Sequence, residues 1–258
     1  MGYVIALSNR KGGTGKSTSA LNIGAALARA NYRVLLVDLD PQRNLTQALA
    51  LESTPYTLYE ALMKEHRLQA VPTGIPNLLL VAGSPALSSV ERQQGAEAGS
   101  ERQLQLLLAD FRTRCDYIIL DCPPALDLLT LNAYVCATHV FVPLEAQLFS
   151  TEGFELVVEL VARVRQQLNP TLELAGCFFT RYDRRKVLRR EVAEELRAKY
   201  PGLVLHTTIR ETIALAESAQ LRQDIFSYSA QSAGAADYQT LTEEILQRCP
   251  PDSNGQIV

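Results

Sequence analysis

A glycine-rich segment near the start of the chain has the residue types that bind phosphate groups. It reads SNRKGGTGKST (8–18) and lies between the apolar run YVIAL and a long apolar stretch. Glycines let backbone N–H groups converge on a phosphate, and the start of a following helix adds partial positive charge. In such a loop Lys16 would reach the β- and γ-phosphates of a nucleotide, Ser17 would bind Mg²⁺ and Thr18 would lie near the α-phosphate. The predicted nucleotide-binding residues here are Lys11, Gly12, Gly13, Thr14, Gly15, Lys16, Ser17 and Thr18.

The loop departs from the standard pattern G-x-x-x-x-G-K-[ST] at its first position. If Gly15, Lys16 and Ser17 end the pattern, the first glycine should be residue 10, which is Arg10. The segment instead fits the variant K-G-G-x-G-K-[ST]. This variant contains a second lysine, Lys11, for which an ordinary phosphate loop has no use.

Three aspartates follow apolar runs that read as strands. Asp38 and Asp40 end LLVDLD, and Asp121 ends YIILD. Ligands bind at the carboxyl ends of strands in open α/β sheets, so these acids should lie near the loop. A single acid that closes an apolar strand, such as Asp121, is typical of a Walker B strand, which holds Mg²⁺ usually through water.

The elements that position these residues alternate along the chain. Seven apolar runs read as strands, and the longer segments between them show helical periodicity. The predicted fold class is therefore α/β, with a doubly wound, mostly parallel sheet and helices on both faces. The predicted strands are 3–7, 33–38, 77–83, 116–121, 139–144, 173–180 and 203–208, and the predicted helices are 17–30, 101–112, 151–168, 186–199 and 236–247. We predict a single domain over residues 1–249 and a loose C-terminal tail over 250–258.

The composition narrows the class of protein. The chain has 258 residues, a formal net charge of −3 and five cysteines without close paired spacing. That spacing argues against a disulfide framework or a zinc site and favours buried thiols. Neither a signal peptide nor an apolar run of membrane-spanning length is visible, so we expect a cytoplasmic protein.

Five motifs carry a resemblance to a known family. In chain order, KGGTGKST, VDLDPQRNLT, IILDCPPALDLLTLNA, PLEAQLFSTEG and RETIALAES resemble the ParA/Soj family of partition ATPases. This family belongs to the deviant Walker A group of phosphate-loop NTPases, which also contains MinD. The resemblance implies ATP and Mg²⁺ as cofactors, a homodimer that sandwiches ATP, and non-specific DNA binding by the ATP-bound dimer. It also implies weak ATP hydrolysis that a ParB-like activator protein stimulates, a role in plasmid or chromosome partitioning, and association with the nucleoid.

The resemblance also implies roles for single residues. Lys11 resembles the signature lysine that crosses the dimer interface to the partner's ATP, and with Lys16 it belongs to the predicted catalytic set. Asp40, the third catalytic residue, resembles the acid that orients the attacking water. Asp38 and Asp121 resemble the acids around Mg²⁺, beside Ser17. Two further residues, Thr180 and Arg181, occupy the region that faces the adenine in relatives.

A basic segment, RYDRRKVLRR (181–190), predicts a DNA-contacting surface. It holds six basic residues and one acid in a chain that is acidic overall. On the helix that follows, the periodicity places Leu188, Val192 and Leu196 towards the core. The predicted DNA-binding residues are Arg184, Arg185, Lys186, Arg189, Arg190, Arg210 and Arg222. Any such binding should be non-specific and should weaken strongly with salt.

Two alternatives remain open within this resemblance. A ParA-like ATPase could position a cargo other than DNA, such as a microcompartment or a chemosensory array. A MinD-like membrane-positioning ATPase would need a basic amphipathic C-terminal helix. The sequence EEILQRCPPDSNGQIV does not supply such a helix, so we expect no membrane partner.

Overall fold

The computed structural model describes residues 2–50, 54, 56–64, 66–147 and 150–251. Eight strands form one sheet in the order β3-β4-β2-β5-β1-β6-β7-β8. The pairings are parallel except between β3 and β4, which are antiparallel. The strands are β1 (Tyr3–Leu7), β2 (Val34–Asp38), β3 (Val71–Pro72), β4 (Leu78–Val81), β5 (Tyr117–Asp121), β6 (His139–Glu145), β7 (Glu173–Tyr182) and β8 (Val204–Arg210).

Twelve α-helices connect and cover the strands in the described part of the chain, with 3₁₀ turns at Pro85–Ser89 and Ser100–Arg102. The helices are α1 (Lys16–Arg29), α2 (Asn44–Ala48), α3 (Leu58–Leu62), α4 (Val90–Gln94), α5 (Gln103–Leu107), α6 (Ala109–Arg114), α7 (Leu128–Cys136), α8 (Ser150–Gln167), α9 (Val187–Lys199), α10 (Ile213–Gln220), α11 (Ile225–Ser229) and α12 (Ala233–Arg248).

The central strands are buried on both faces, which explains their continuous apolar sequence. In β1, Val4 and Ala6 face one hydrophobic cluster, while Ile5 and Leu7 face the other. The first cluster is built with α7, α8 and α9, and the second with α1 and α12. Side chains alternate between the two faces of a strand, so an apolar residue at every position requires helices on both sides. The predicted doubly wound α/β fold is confirmed.

Strand β7 contains a bulge near its start. Val140 of β6 pairs with Leu174, but the next residue, Phe141, pairs with Gly176, so β7 carries one extra residue. Gly176 has φ 151°, and a Cβ there would lie 2.5 Å from the Leu203 carbonyl oxygen. Only glycine fits without displacing that carbonyl, so Gly176 permits the bulge.

The predicted elements are present with two corrections, whereas the short strand β3 and several helices, among them α2 and α7, were not predicted. The predicted helix over 101–112 is divided into α5 and α6 at Leu108, which has φ −90° and ψ 0°. Leu188 does not face the core, because the first turn of α9 extends into solvent and leaves it 45% exposed, whereas Val192 and Leu196 are buried. All five cysteines are buried free thiols, as the spacing predicted. Most of the predicted tail, residues 252–258, lies outside the described residues.

Candidate functional site

The glycine-rich loop joins β1 to α1 and takes the shape that its glycines permit. Gly13 and Gly15 have φ 77° and 83°, a left-handed conformation that residues with a side chain rarely adopt. Gly15 is the N-cap of α1 and has no side chain to bond the first N–H groups of that helix. The first turn of α1 also lacks acidic residues. Its N–H groups and partial positive charge are therefore available to an anion.

Two side chains anchor this loop to the sheet. Asn9 donates from Nδ2 to the Pro143 carbonyl at 2.7 Å and accepts from the Lys11 N–H at 3.0 Å. Thr180 donates from Oγ1 to the Thr14 carbonyl at 2.9 Å. Both anchors are nearly inaccessible to solvent, so the loop rests on β6 and β7 rather than moving alone.

Lys16, the first residue of α1, is held inside the loop. Only 6% of the residue is exposed, and its Nζ lies 3.4 Å from the Lys11 carbonyl oxygen. Burial lowers the pKa of Lys16, while the carboxylates of Asp121 and Asp40 oppose that shift. Among the described residues its ammonium has only this long hydrogen bond, so it can donate to phosphate oxygens.

Asp38 and Asp121 lie side by side at the carboxyl ends of adjacent strands, because β2 and β5 pair in that register. Asp121 is completely buried, and neither of its oxygens accepts a hydrogen bond of ordinary geometry from the described residues. Burial, followed by the charge of Asp38, raises the pKa of Asp121 well above its usual range, and Ser17 and Lys16 offset only part of this. An unpartnered buried carboxylate beside a hydroxyl fits a divalent cation.

Asp38 has a different environment, because protein donors already occupy its oxygens. One oxygen accepts from the Thr46 N–H at 2.8 Å and hydroxyl at 2.6 Å, and the other accepts from the Asp40 N–H at 3.1 Å. Burial raises the pKa of Asp38 to about 6, and the bonds from Thr46 limit the rise. A role for Asp38 at a metal would therefore require an intervening water. No group of three acidic, histidine or cysteine side chains within the described ranges forms a metal cluster.

A cavity of about 480 Å³ opens above the loop. Asp40, which is 6% exposed, lines it, and one oxygen of Asp40 accepts from the Gln42 N–H at 2.9 Å. The cavity continues towards the C-terminal end of α10. Predicted nucleotide-binding residues that line it are Gly12, Gly13, Gly15, Lys16, Ser17, Thr18 and Arg181, and the segment 218–223 lines its far side except for Leu221. The open helix start, Ser17 and the unpartnered Asp121 together fit a magnesium nucleotide.

Lys11 does not line this cavity. Its side chain is 52% exposed and points to β6, where Nζ donates to Gln147 Oε1 and lies 4.0 Å from Glu145 Oε2. The two lysines of the loop therefore have separate surroundings, since Lys16 faces the cavity and Lys11 lies outside it.

The two residues predicted to face adenine have unequal positions. Thr180 is buried beneath the loop and bonds to backbone carbonyls, so it supports the cavity rather than lining it. Arg181 lines the cavity, adopts a left-handed conformation with φ 48°, and lies 3.3 Å from Glu145 Oε1.

The basic segment forms a surface at the start of α9. From residue 184 onwards it contains five basic residues, of which Arg189 is partly buried and the other four are exposed. The Arg185 guanidinium contacts the Asp183 carboxylate at 3.0 Å and 3.1 Å, so Asp183 partly compensates the positive charge of Arg185. We call these five basic residues the α9 basic surface. It comprises Arg184, Arg185, Lys186, Arg189 and Arg190.

Two other predicted DNA-binding arginines are placed differently. Arg210 pairs with Tyr182 across β7 and β8, so it lies near the α9 basic surface. Its guanidinium makes a two-pronged contact with Asp237, at 2.6 Å and 2.9 Å, which compensates its charge. Arg222 instead lines the cavity above the loop, at the end of α10, with φ 57°.

Three residues that hold the loop and its lysine have no predicted role: Asn9, Glu145 and Gln147. Glu145 ends an apolar strand in the same way as Asp38 and Asp121, so the rule that found those acids also applies to it. Gln147 and Asn9 carried no comparable signal, because their partners are distant in sequence.

Comparisons with known proteins agree with this geometry. A family model described as "AAA domain" matches residues 2–174. The chain is 38% identical over 250 residues to the chromosome-partitioning ATPase Soj of Treponema pallidum, covering 96% of this chain and 98% of that protein. It is also 38% identical over 251 residues to the chromosome partitioning protein ParA of Caulobacter vibrioides, covering 95% and 94%.

Among solved structures, cobyrinic acid a,c-diamide synthase of Mycobacterium smegmatis with a bound ATP analog and magnesium is similar. Its TM-score is 0.84 at 32% identity, covering 96% of this chain and 95% of that one. Within the described residues no helix is long and apolar enough to cross a membrane. The loop with two lysines, the paired strand-end aspartates and the full-length identity together place this chain in the ParA/Soj family of phosphate-loop ATPases.

Proposed function

We propose that this protein is a Mg·ATP-dependent ATPase that dimerises on ATP, binds DNA without sequence preference and partitions a chromosome or plasmid. The observation that carries the proposal is the separation of the two loop lysines. Lys16 is buried in the cavity, while Lys11 lies outside it with half of its side chain exposed. A cation in that position can act on the ATP of a second copy.

The loop and its neighbours would hold the nucleotide as follows. The N–H groups at the start of α1 and the Lys16 ammonium bind the phosphates, and Ser17 with Asp121 holds Mg²⁺. When bound, Mg²⁺ neutralises charge on the phosphates. Asp40 faces the cavity and accepts a hydrogen bond from Gln42, which leaves its second oxygen to orient a water. A lysine from the partner would offset charge on the transferred phosphoryl group, so hydrolysis depends on dimerisation.

The α9 basic surface supports DNA binding. Its cations lie close together, and like charges at i, i+4 repel by a few tenths of a kcal/mol. Phosphates relieve that repulsion, and contacts of this kind supply affinity without reading sequence. A dimer presents two such surfaces, so ATP raises the affinity for DNA through avidity.

The names of the relatives support the partition role. Soj of T. pallidum and ParA of C. vibrioides are named for chromosome partitioning. By analogy, hydrolysis is weak in the protein alone, a ParB-like protein stimulates it, and the ATP-bound dimer lies on the nucleoid. A cargo other than DNA is the alternative within the family. One solved relative is named as a synthase rather than as a partition protein.

The test is binding to random-sequence duplex DNA with ATP, ADP and no nucleotide, across a series of salt concentrations. We expect binding that needs ATP, weakens steeply with salt and is lost in Lys11→Ala. Replacing Arg190 by alanine should reduce the salt slope by about 1, while Arg210→Ala, whose charge Asp237 already compensates, should change it less. ATP-independent binding, or wild-type behaviour of Lys11→Ala, would contradict the proposal.

A further inference from the structure

Glu145, at the carboxyl end of β6, is a buried carboxylate shared by two cations. Only 9% of the residue is exposed. Its Oε1 lies 3.3 Å from Arg181 Nη1, and its Oε2 lies 4.0 Å from Lys11 Nζ. Both cations come from segments next to the nucleotide cavity, one from the loop and one from the end of β7.

Gln147 completes the contact between Lys11 and this carboxylate. Its Nε2 donates to Glu145 Oε2 at 2.8 Å, so its Oε1 faces away from the carboxylate and accepts from Lys11 Nζ. The backbone N–H of Gln147 is fixed in turn, 2.9 Å from the Glu145 carbonyl and 3.0 Å from Ser150 Oγ. The amide is therefore oriented before the lysine arrives, and the two side chains form a built acceptor for an ammonium.

We propose that Glu145 and Gln147 are positioning residues that hold the Lys11 ammonium against its own subunit and set how easily it is released to a second copy. This inference rests on the proposed function. Engagement of a partner's phosphates moves Lys11 away from β6, so the acceptor competes with dimerisation. When the lysine leaves, Arg181 still neutralises Glu145, and the carboxylate is not left buried and unpaired.

The competition is modest because Lys11 is half exposed. A charge contact of this exposure is worth about two- to fivefold in an equilibrium constant. Each dimer releases two lysines. Removing the acceptor should therefore tighten the ATP-bound dimer by about four- to twenty-five-fold, whereas a residue that supports the dimer would loosen it when removed.

The contact of the Lys11 ammonium with Gln147 and Glu145 can be measured without nucleotide. Nucleotide-free wild type, Gln147→Ala and Glu145→Gln are acetylated briefly with an amine-reactive ester, and each of the five lysines is quantified by mass spectrometry. Lys11 should react several-fold faster in both variants, because its amine is no longer held. Glu155→Gln is the matched control, since Glu155 contacts Lys199 on the surface. It should raise labelling at Lys199 and leave Lys11 unchanged. Equal Lys11 labelling in wild type and both acceptor variants would overturn the proposal.

The release of Lys11 to a second copy is measured through the dimer dissociation constant, determined by sedimentation with Mg·ATP. Melting temperatures establish that each variant folds. A tighter dimer in Gln147→Ala and Glu145→Gln, but not in Glu155→Gln, supports the proposal. Faster Lys11 labelling with an unchanged or weaker dimer overturns it. If the wild type forms no dimer with ATP, the proposed function fails, and the labelling alone still decides whether the acceptor holds Lys11.

Discussion

Replacing Asp121 by asparagine should stabilise the nucleotide-free protein. Asp121 is completely buried, without a hydrogen bond of ordinary geometry from the described residues, and burial raises its pKa well above the usual range. A raised pKa in an acid means that the folded state disfavours the ionised form. The stability that the protonated Asp121 carboxyl contributes is complete below the ordinary aspartate pKa. It is lost as the pH rises through the raised pKa of the folded state. Asparagine has no charge and avoids that loss.

Asparagine still buries an unpaired amide, so the effect is the difference between burying a charged and a neutral polar group without a partner, about 1–2 kcal/mol. For a chain of 258 residues, each kcal/mol shifts the melting temperature by about 2–4 °C. At pH 8 the variant should therefore melt about 2–8 °C above the wild type. The gap should narrow as the pH is lowered, because the wild-type carboxyl becomes protonated.

Asp116, just before the same strand, is the matched control with the opposite sign. It accepts three hydrogen bonds from Arg33, which together with the charge of Arg33 lower the pKa of Asp116. Its contribution is present above the ordinary aspartate pKa and is lost as pH falls through the lowered value. Asp116→Asn should cost about 0.2–1 kcal/mol at pH 8.

The assay is thermal unfolding followed by circular dichroism from pH 5 to pH 8, since the chain has no tryptophan for fluorescence. A second series adds Mg·ATP, which should stabilise the wild type more than Asp121→Asn. The reasoning is refuted if, without nucleotide at pH 8, Asp121→Asn melts at or below the wild-type temperature.

Four further substitutions test individual packing and hydrogen-bond contacts. Thr180→Val removes the hydroxyl proton that the Thr14 and Leu144 carbonyls share, and should weaken ATP binding about tenfold in a titration with a fluorescent ATP analogue; unchanged affinity would contradict its anchoring role. Leu196→Ala should cost about 2–5 kcal/mol in urea unfolding, whereas Leu188→Ala should cost less than about 1, and equal costs would contradict their different burial. Asn132→Ala leaves the Leu104 N–H without its partner and should cost about 1–3 kcal/mol, so an unchanged urea midpoint would count against that contact.

The sequence predicted the sheet well because its strands are buried on both faces. All seven predicted strands are present, and the strand ends bring Asp38 and Asp121 together as the rule for parallel sheets requires. The short strand β3 was missed, since two residues do not form a pattern. Leu188 was misplaced because periodicity identifies the apolar side of a helix but not where the helix leaves the core.

The sequence could not predict which acidic residues pair with the basic ones. Arg210 reads as a free cation until the fold brings Asp237 to it from 27 residues away. Glu145 and Lys11 similarly meet only because β6 lies beside β1. Local spacing contains no information about such partners, so a run of basic residues overstates the charge that a surface offers.

The bulge in β7 determines the orientation of Thr180, the side chain that anchors the loop. Ala175 and Phe178 face the cluster built with α1, whereas Cys177 and Phe179 face the other, so the extra residue at Gly176 reverses the alternation that follows. Thr180 thereby lies on the side of α1, within reach of Thr14. Deleting a single residue at the bulge would turn Phe179 or Arg181 towards the loop in its place. The bulge lies four positions before Thr180. Because side chains alternate along a strand, it determines which side chain of β7 supports the phosphate loop.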